Sequence, residues 1–247
     1  MRRRVLAALR TAIGVPLFFI FTLGLASYLI VVAFVRPHHP YLDRVIRFWA
    51  RRFMGVAPIE LEVVGRDRVD TNRQYVYVAN HLSNFDIPVL FAALPSRIRF
   101  LSKKEVYKIP IVATAMRRVG IVKIDRAAGS EGHVQINKDI GEAKSHGYSL
   151  IIFPEGTRSR DSDFHRFKKG AFRIGIANEM DIVPVTIHGT WEVWPPDAKM
   201  FFPGKASVVI HDPIPVAGLR TRDIGEVRDR AHAVIEETWN ELKAPTA

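Results

Sequence analysis

A run of 25 residues without a charged side chain, from Thr11 to Val35, constrains this chain more than any other feature: TAIGVPLFFIFTLGLASYLIVVAFV. As an α-helix rising about 1.5 Å per residue it would reach roughly 37 Å, whereas the hydrocarbon core of a bilayer is about 30 Å thick. A cleaved signal peptide fits less well, because its apolar region holds only about 7 to 15 residues and no A-x-A-like site follows promptly. We therefore expect this segment to enter a membrane.

Basic residues lie on both sides of the apolar run and bear on how it enters the bilayer. The flanking arginines are Arg2, Arg3, Arg4 and Arg10 before it, and Arg36, Arg44, Arg47, Arg51 and Arg52 after it. Because the two flanks nearly balance, the positive-inside rule does not choose an orientation. Two basic flanks suit a segment that enters and leaves one leaflet, and Gly14, Pro16 and Gly24 would help it bend. We expect monotopic insertion rather than a single span.

The next segment, residues 41–54 (YLDRVIRFWARRFM), has the periodicity of an amphipathic helix. Its apolar face holds Leu42, Val45, Ile46, Trp49 and Phe53, and its basic face holds Arg44, Arg47 and Arg51. Such a helix either packs on its own domain or lies in the membrane interface. Beside an apolar anchor we favour the interface, with Trp49 and Phe53 toward acyl chains and the arginines toward lipid phosphates.

The net charge of +11 raises the question of nucleic-acid binding, but the charge is concentrated in one region. The first 52 residues hold nine arginines against a single acid, Asp43, and they are the apolar part of the chain. That is unlike a nucleic-acid-reading module, so we expect no nucleic-acid partner. The chain has no Cys, which excludes disulfides, thiolate metal sites and a cysteine nucleophile.

From residue 57 onward, strand-like and helix-like segments alternate. The predicted strands are Ile59–Val64, Gln74–Ala79, Ile98–Leu101, Ile121–Ile124, Ser149–Phe153, Ile182–Ile187 and Ala206–Ile210. The predicted helices are Phe85–Leu94, Glu105–Arg118, Ser130–Ser145, Ala171–Ala177 and Asp223–Lys243. This order predicts an α/β fold, a mostly parallel sheet covered by helices, in residues 57–247, after N-terminal membrane-anchoring helices in residues 1–56. Ligands of such sheets bind at the carboxyl ends of the strands.

Four polar blocks follow four of these strands. They are His81 with Asp86, Asp125 with Arg126, FPEGTRSR at 153–160, and VPVTIHG at 183–189. Each block by itself has an ordinary explanation, such as a turn histidine, a surface charge or Pro and Gly in a turn. Because all four ordinary explanations are unlikely to hold together, the sequence predicts a functional site at this edge of the sheet.

These blocks, in this order, resemble the glycerolipid acyltransferase family, and most of all its bacterial 1-acylglycerol-3-phosphate (lysophosphatidic acid) acyltransferases. The H-x4-D block is matched by HLSNFD at 81–86, the second block by GIVKIDR at 120–126, the third by FPEGTRS at 153–159, and the fourth by VPV at 183–185. The resemblance covers about residues 57–219. It implies a glycerol-3-phosphate acyltransferase-like fold and a membrane-bound enzyme of phospholipid biosynthesis, in the bacterial inner membrane with its active site on the cytoplasmic side.

Acyl transfer to a hydroxyl needs a group that takes the hydroxyl proton, and a neutral histidine does this near pH 7. We assign His81 as this base, and Asp86 as the acid that holds its tautomer and offsets the charge it gains. Five residues on a helix turn through about 140° net, so the two side chains would not share a helical face. His81 should therefore precede a helix, with Asp86 in its first turn, where the helix N-terminus favours a carboxylate.

The acceptor's phosphate needs fixed positive charge, and a guanidinium grips phosphate oxygens as a fork. We assign this role to Arg158, with Gly156 allowing close backbone approach and Thr157 included by the resemblance. Glu155 is expected to orient Arg158 or neighbouring backbone donors. Lys123 and Arg126 are expected to complete the pocket. We expect no metal and no cofactor, because no metal-ligand set or nucleotide motif occurs and the co-substrate is itself the acyl thioester.

Several alternatives stay open. The acyl donor is acyl-coenzyme A or acyl-acyl carrier protein, and the acceptor is lysophosphatidic acid or another lysolipid, such as a lyso-ornithine lipid. A lipid hydrolase with Ser83 as nucleophile is the second class, although no G-x-S-x-G motif occurs and Ser83 is expected to be a turn hydroxyl. A non-catalytic lipid- or nucleic-acid-binding protein is the third, and it leaves the four polar blocks unexplained.

Overall fold

The computed structural model describes residues 2–103, 108–124 and 129–243. Its α-helices are α1 (Arg2–Val35), α2 (Pro40–Val56), α3 (Asp86–Ala93), α4 (Pro110–Arg118), α5 (Gly129–Ser145), α6 (Gly170–Ala177), α7 (Thr190–Val193) and α8 (Ile224–Lys243). Its strands are β1 (Ile59–Val64), β2 (Val76–Ala79), β3 (Ile98–Lys103), β4 (Val122–Ile124), β5 (Ser149–Ile152), β6 (Ile182–His188) and β7 (Gly204–Ile210). Short 3₁₀ turns lie at Arg66–Arg68 and Thr221–Asp223.

The strands form one seven-stranded sheet in the order β1-β7-β6-β2-β5-β3-β4. Every neighbouring pair is parallel except β6 and β7, which are antiparallel, so the predicted mostly parallel α/β sheet is confirmed. Strand β2 lies between β5 and β6, with Val76 opposite both Leu150 and Ile182. Because these three strands are parallel, the loops that follow them meet at one edge, and three of the four polar blocks lie on β2, β5 and β6 and the segments after them.

The core lies on both faces of this sheet, since successive residues of a strand point to opposite sides. Tyr77 and Ala79 of β2 belong to one cluster, which also contains buried residues of α1, α2 and α3. Val76 and Val78 belong to the other, together with residues of α5, α6 and α8. The two N-terminal helices therefore share a core with the sheet.

Beyond differences of a few residues at element ends, the described structure departs from the prediction at one helix and contains one helix that was not predicted. The predicted helix Glu105–Arg118 begins only at Pro110, a favourable residue at a helix start, and residues 104–107 lie outside the described part. Helix α7, directly after β6, was not expected. Arg126 of the second polar block also lies outside the described residues.

Helix α1 lies along the surface of the α/β part. Near its first turns the Thr11 hydroxyl accepts a 3.3 Å hydrogen bond from the Phe201 amide, and near its end Ala33 is fully buried while the Arg118 guanidinium lies over the Phe34 ring. The helix continues through Pro16 without interruption. It is long and apolar enough to cross a membrane, judged by length and composition alone. Its outward stripe of exposed side chains includes Leu9, Ile13, Leu17, Ile20, Val31 and Val35.

Helix α2 corrects one interpretation of the sequence. Arg47 does not face lipid phosphates: its guanidinium donates to the carbonyl oxygens of Leu94 (2.6 Å), Pro95 (3.0 Å) and Ser96 (2.7 Å). These carbonyls lie just beyond the last residue of α3, and Nη1 also lies 3.4 Å from the Phe91 carbonyl oxygen within the helix, so Arg47 caps the C-terminal end of α3. Trp49 also turns toward the protein, because its indole N–H donates to the Thr22 hydroxyl at 3.0 Å. The alternative, a helix that packs on its own domain, describes α2 better.

A buried ion cluster ties α2 to the sheet. The Asp43 carboxylate accepts a 2.7 Å hydrogen bond from Arg97 Nε and a 2.6 Å hydrogen bond from Arg99 Nη1. Arg99, on β3, is fully buried, and its guanidinium lies 3.8 Å from the centre of the Tyr148 ring. A buried guanidinium is stable only beside an opposite charge, so Arg99 depends on the carboxylate of Asp43.

Candidate active site

The end of β2 is fixed to β6 by the side chain of Asn80, which is fully buried. Its amide nitrogen donates to the Ile187 carbonyl at 2.8 Å, and its amide oxygen accepts from the Ile187 N–H at 2.8 Å. Both polar ends of Asn80 are thus paired with one backbone residue. The chain therefore enters the next turn, which begins at His81, from a defined position.

The His81 imidazole is held by Asp86, the first residue of α3. Nδ1 of His81 lies 2.7 Å from Oδ2 of Asp86, and the carboxylate is fully buried. The predicted placement, with His81 before the helix and Asp86 in its first turn, is confirmed. The same Oδ2 accepts from the N–H groups of Leu82 (2.7 Å) and Ser83 (2.8 Å), and Oδ1 accepts from the Thr190 hydroxyl at 2.6 Å.

The four polar groups around the Asp86 carboxylate indicate which nitrogen of His81 carries the ring hydrogen. A carboxylate only accepts, so the hydrogen between it and the imidazole belongs to Nδ1 of His81. In the neutral imidazole the other ring nitrogen, Nε2, then carries a lone pair. The His81 side chain is 14% exposed, so a substrate can reach it. This arrangement is that of a histidine base oriented by an acid.

The third polar block holds His81 at three points. The Phe153 ring stacks on the imidazole with 3.8 Å between ring centres and 13° between planes. Oε1 of Glu155 accepts a 2.9 Å hydrogen bond from the His81 N–H, and the Ser159 N–H donates to the His81 carbonyl at 2.9 Å. Both backbone groups of His81 and one face of its ring are therefore fixed by residues 153–159.

Glu155 is buried, and its described hydrogen bond goes to the His81 backbone rather than to Arg158. Of the two roles expected for Glu155, the structure thus favours orienting a backbone donor. Burial raises the pKa of Glu155 to about 8, partly countered by the His81 N–H and reinforced by the carboxylates of Asp86 and Asp161.

Arg158 and Thr157 are exposed at the mouth of the site. Nη1 of Arg158 donates to the Asn84 side-chain oxygen, which brings the guanidinium to the loop that carries His81. Gly156 has a φ of +84°, in the left-handed region that favours glycine, so the turn before Arg158 depends on it. Arg158 thus contacts the loop that carries the candidate base, where a phosphate-binding group is expected.

The end of the same loop is ordered by Asp161. Its Oδ1 accepts hydrogen bonds from the Ser159 hydroxyl at 2.6 Å and from the Asp163 N–H at 3.1 Å. The same oxygen lies 3.0 Å from His165 Nε2. The hydrogen bond from Ser159 is the main reason that the pKa of Asp161 falls to about 2. Asp161 therefore remains a carboxylate and keeps Ser159 in the position from which it contacts His81.

The remaining predicted site residues are less directly described. Lys123 lies on β4, paired with Ser102 of β3, and β4 is three strands from β2, or roughly 14 Å at about 4.8 Å per strand. The side chain of Lys123 and the whole of Arg126 lie outside the described residues. Their assignment to the phosphate pocket stays a prediction.

Ser83 is a turn hydroxyl, as the sequence led us to expect. Its Oγ donates to the Trp194 carbonyl at 2.7 Å and accepts from the Phe85 N–H at 3.1 Å. The residue is 1% exposed, and its hydroxyl hydrogen is committed to a carbonyl oxygen rather than to His81. This geometry does not suit a nucleophile activated by a histidine.

Thr190 was missed by the sequence reasoning although it contacts Asp86 directly. It lies on α7, 104 residues beyond Asp86, and only its position after β6 brings it to the site. The residues of the fourth block that were singled out, Val183 and Val185, are fully buried in β6. The fourth block therefore contributes through the chain that follows it.

Comparison with known proteins identifies the family of the chain. The family model described as Acyltransferase matches residues 60–188. The chain is 30% identical over 209 residues to the chloroplastic 1-acyl-sn-glycerol-3-phosphate acyltransferase LPAT1 of Arabidopsis thaliana, covering 80% of this chain and 58% of that protein. It is also 30% identical over 186 residues to the 1-acyl-sn-glycerol-3-phosphate acyltransferase of Saccharomyces cerevisiae, covering 74% of this chain and 61% of that protein. The chain thus spans less than two thirds of the length of these relatives.

A solved structure matches over nearly the whole chain. It is the 1-acyl-sn-glycerophosphate (LPA) acyltransferase PlsC from Thermotoga maritima, with a TM-score of 0.80, 26% sequence identity and 99% of each chain covered. The region that the family model matches begins in β1 and ends with β6, so it includes His81, Asp86 and the whole third block. Since this region is more than half of the 247 residues, the chain belongs to the Acyltransferase family.

Proposed function

We propose that this protein is a membrane-associated acyltransferase that moves a fatty acyl group from a thioester to the 2-hydroxyl of 1-acyl-sn-glycerol-3-phosphate, which gives phosphatidic acid. The observation that carries the proposal is the His81 imidazole, bound to buried Asp86 through Nδ1, in a loop that the exposed Arg158 guanidinium contacts at Asn84. The names of the relatives and of the matching structure support the same reaction.

In the proposed reaction His81 acts as the base. Nε2 takes the proton of the acceptor hydroxyl while the hydroxyl oxygen attacks the thioester carbonyl carbon. Asp86 stabilises the imidazolium that forms, because its carboxylate is already bound to Nδ1. The tetrahedral intermediate then expels the thiolate, which takes the proton back from Nε2. One ester bond forms, one thioester bond breaks, and no cofactor is required.

The acceptor's phosphate is proposed to bind at Arg158. The guanidinium is exposed, and one of its nitrogens is already directed by Asn84, so the others remain for phosphate oxygens. The Asn84 amide is itself oriented by the Pro195 carbonyl, at 3.3 Å from Nδ2. Glu155, Gly156 and Thr157 complete this loop, and Lys123 and Arg126 remain proposed members of the pocket.

The acyl donor is proposed to be acyl-coenzyme A or acyl-acyl carrier protein. Both carry an acidic phosphopantetheine arm, and positive charge near the site suits either. Lys168 and Lys169 are exposed and follow the third block, so they are candidates for that contact. A direct comparison of the two donors, in the assay below, decides between them.

The enzyme is proposed to insert into one leaflet through α1. Thr11 and Phe34, near the two ends of the apolar run, contact the α/β part at Phe201 and at Arg118, and these contacts support insertion along one leaflet. The exposed apolar stripe of α1 supplies the surface that enters the acyl region. The proposed location is the bacterial inner membrane, with the active site on the cytoplasmic side.

The test is an acyl-transfer assay in detergent and in vesicles. Palmitoyl-coenzyme A and palmitoyl-acyl carrier protein serve as donors, and 1-acylglycerol-3-phosphate, glycerol-3-phosphate and a lyso-ornithine lipid as acceptors. The proposal expects phosphatidic acid from the wild type, none from His81→Ala, and wild-type rates from the control Glu237→Gln, which changes an exposed glutamate on α8. Hydrolysis of the thioester without transfer, or preference for the lyso-ornithine lipid, would reject the proposed acceptor.

A further inference from the structure

Glu155 has an unusual environment beside the proposed base. Its side chain is buried, with 4% of the residue exposed. Oε1 accepts one hydrogen bond, from the His81 N–H, whereas Oε2 is buried and has no hydrogen-bond partner among residues 2–103, 108–124 and 129–243. A carboxylate has about four acceptor positions, so the charged form would be poorly solvated here.

The groups that face Glu155 make a second negative charge still less favourable. Asp86 of α3 binds the same histidine and accepts four hydrogen bonds, whereas Glu155 accepts one. Asp161, further along the loop of Glu155, also acts on it as a negative charge. The nearest cation along the loop, Arg158, donates to Asn84 instead. Of the two carboxyl groups at His81, the environment of Asp86 thus favours the charged form and the environment of Glu155 favours the protonated form.

We propose that Glu155 works as an uncharged carboxylic acid that positions the backbone of His81. In this form the Oε1 carbonyl accepts from the His81 N–H and the proton resides on Oε2. Glu155 is a positioning residue: it joins the loop of Arg158 to the loop of the base and transfers no proton itself. With Glu155 uncharged, the carboxylate that contacts the imidazole directly is that of Asp86. The inference rests on the proposed function through the role of His81.

A pH dependence follows from the burial of this acid. The pKa of Glu155 is raised from 4.5 to about 8 in the folded protein, whereas the unfolded chain ionises near the lower value. The folded state therefore binds one more proton than the unfolded state between these two pH values. Stability is fully present below pH 4.5 and falls as the pH rises toward about 8, where the folded form also ionises.

The experiment compares the wild type with Glu155→Gln, which keeps the shape and the acceptor, and with Glu155→Ala, which removes both. The control is Glu237→Gln, an exposed glutamate on α8. Melting temperature is measured from pH 5 to pH 9, and kcat and KM for acyl transfer are measured across the same range.

An uncharged Glu155 predicts that Glu155→Gln keeps kcat within about threefold of the wild type at pH 7, while Glu155→Ala loses about tenfold or more in kcat as the hydrogen bond to His81 disappears. The melting temperature of the wild type should fall more between pH 5 and pH 8 than that of Glu155→Gln, whereas Glu237→Gln should follow the wild type.

Two results would overturn the inference. One is a folded Glu155→Gln enzyme with a kcat as low as that of Glu155→Ala. Gln keeps the shape and the acceptor oxygen of Glu, so this result would mean that catalysis needs the ionised carboxylate. The other is the same pH dependence of melting for the wild type and Glu155→Gln. The melting measurement needs no substrate, so failure of the proposed reaction in every assay would remain distinguishable from failure of this inference.

Discussion

The Thr190 hydroxyl donates a 2.6 Å hydrogen bond to Oδ1 of Asp86, while Oδ2 of the same carboxylate binds Nδ1 of His81 at 2.7 Å. One buried carboxylate thus joins the loop after β6 to the imidazole after β2. Thr190 fixes the carboxylate plane, and the plane fixes the direction of the imidazole. Outer partners of this kind orient the group that does the chemistry.

Replacing Thr190 by Val should therefore lower kcat with little change in KM. Val has nearly the same shape but no hydroxyl, so Oδ1 of Asp86 loses its described donor inside a buried site. We expect kcat to fall about tenfold or more, since a lost hydrogen bond to a buried charge costs about 1.5–3 kcal/mol. Steady-state kinetics check this, with Thr114→Val on α4 as the control. An unchanged kcat would mean that Thr190 does not orient the base.

Replacing Arg158 by Ala should act mainly on the acceptor. Without the guanidinium, KM for 1-acylglycerol-3-phosphate should rise by about tenfold or more, because a charge-assisted contact to phosphate is lost. The control is Arg160→Ala, which removes a neighbouring exposed arginine that pairs with Asp197 at 3.2 Å. KM values for the phosphorylated acceptor and for a phosphate-free acceptor are compared. An equal loss with both acceptors would show that Arg158 does not recognise phosphate.

Replacing Asp43 by Ala should destabilise the protein strongly. The change leaves the fully buried Arg99 without its carboxylate partner, and an unpaired buried charge costs about 3–5 kcal/mol. Denaturant unfolding in detergent measures the loss of free energy, with the exposed Asp67→Ala as the control. Asp43→Ala combined with Arg99→Met should recover part of the loss. Equal stability of Asp43→Ala and Asp67→Ala would contradict the role given to this cluster.

Insertion into one leaflet predicts that both ends of α1 lie on the same side of the membrane. Because the chain has no Cys, single cysteines at Arg4 and Arg36 can be labelled without background. In sealed vesicles of one orientation, an impermeant maleimide should label Arg4→Cys and Arg36→Cys from the side that also labels Glu237→Cys in the α/β part. Labelling of the two flanks from opposite sides would establish a membrane span instead.

Local sequence patterns were sufficient to predict most helices and strands and the position of the proposed base relative to α3. The predicted strand Ile59–Val64 has the bounds of β1, and the other strands differ by a few residues at their ends. His81 and Asp86 are five residues apart, so helix geometry alone placed one before the helix and the other in its first turn. The family blocks carried the Acyltransferase assignment, although the roles of the site residues stay predictions.

The tertiary structure decided the contacts between residues far apart in the chain. The hydrogen bond from Thr190 to Asp86 joins positions 104 apart, and that from His81 to Glu155 joins positions 74 apart. Arg47 likewise binds carbonyls of Leu94 and Ser96, which the helical periodicity of its own segment does not reveal. A sequence pattern reports which face of an element is buried, because burial follows local periodicity. It does not report which partner covers that face, because the partner depends on how the whole sheet is ordered.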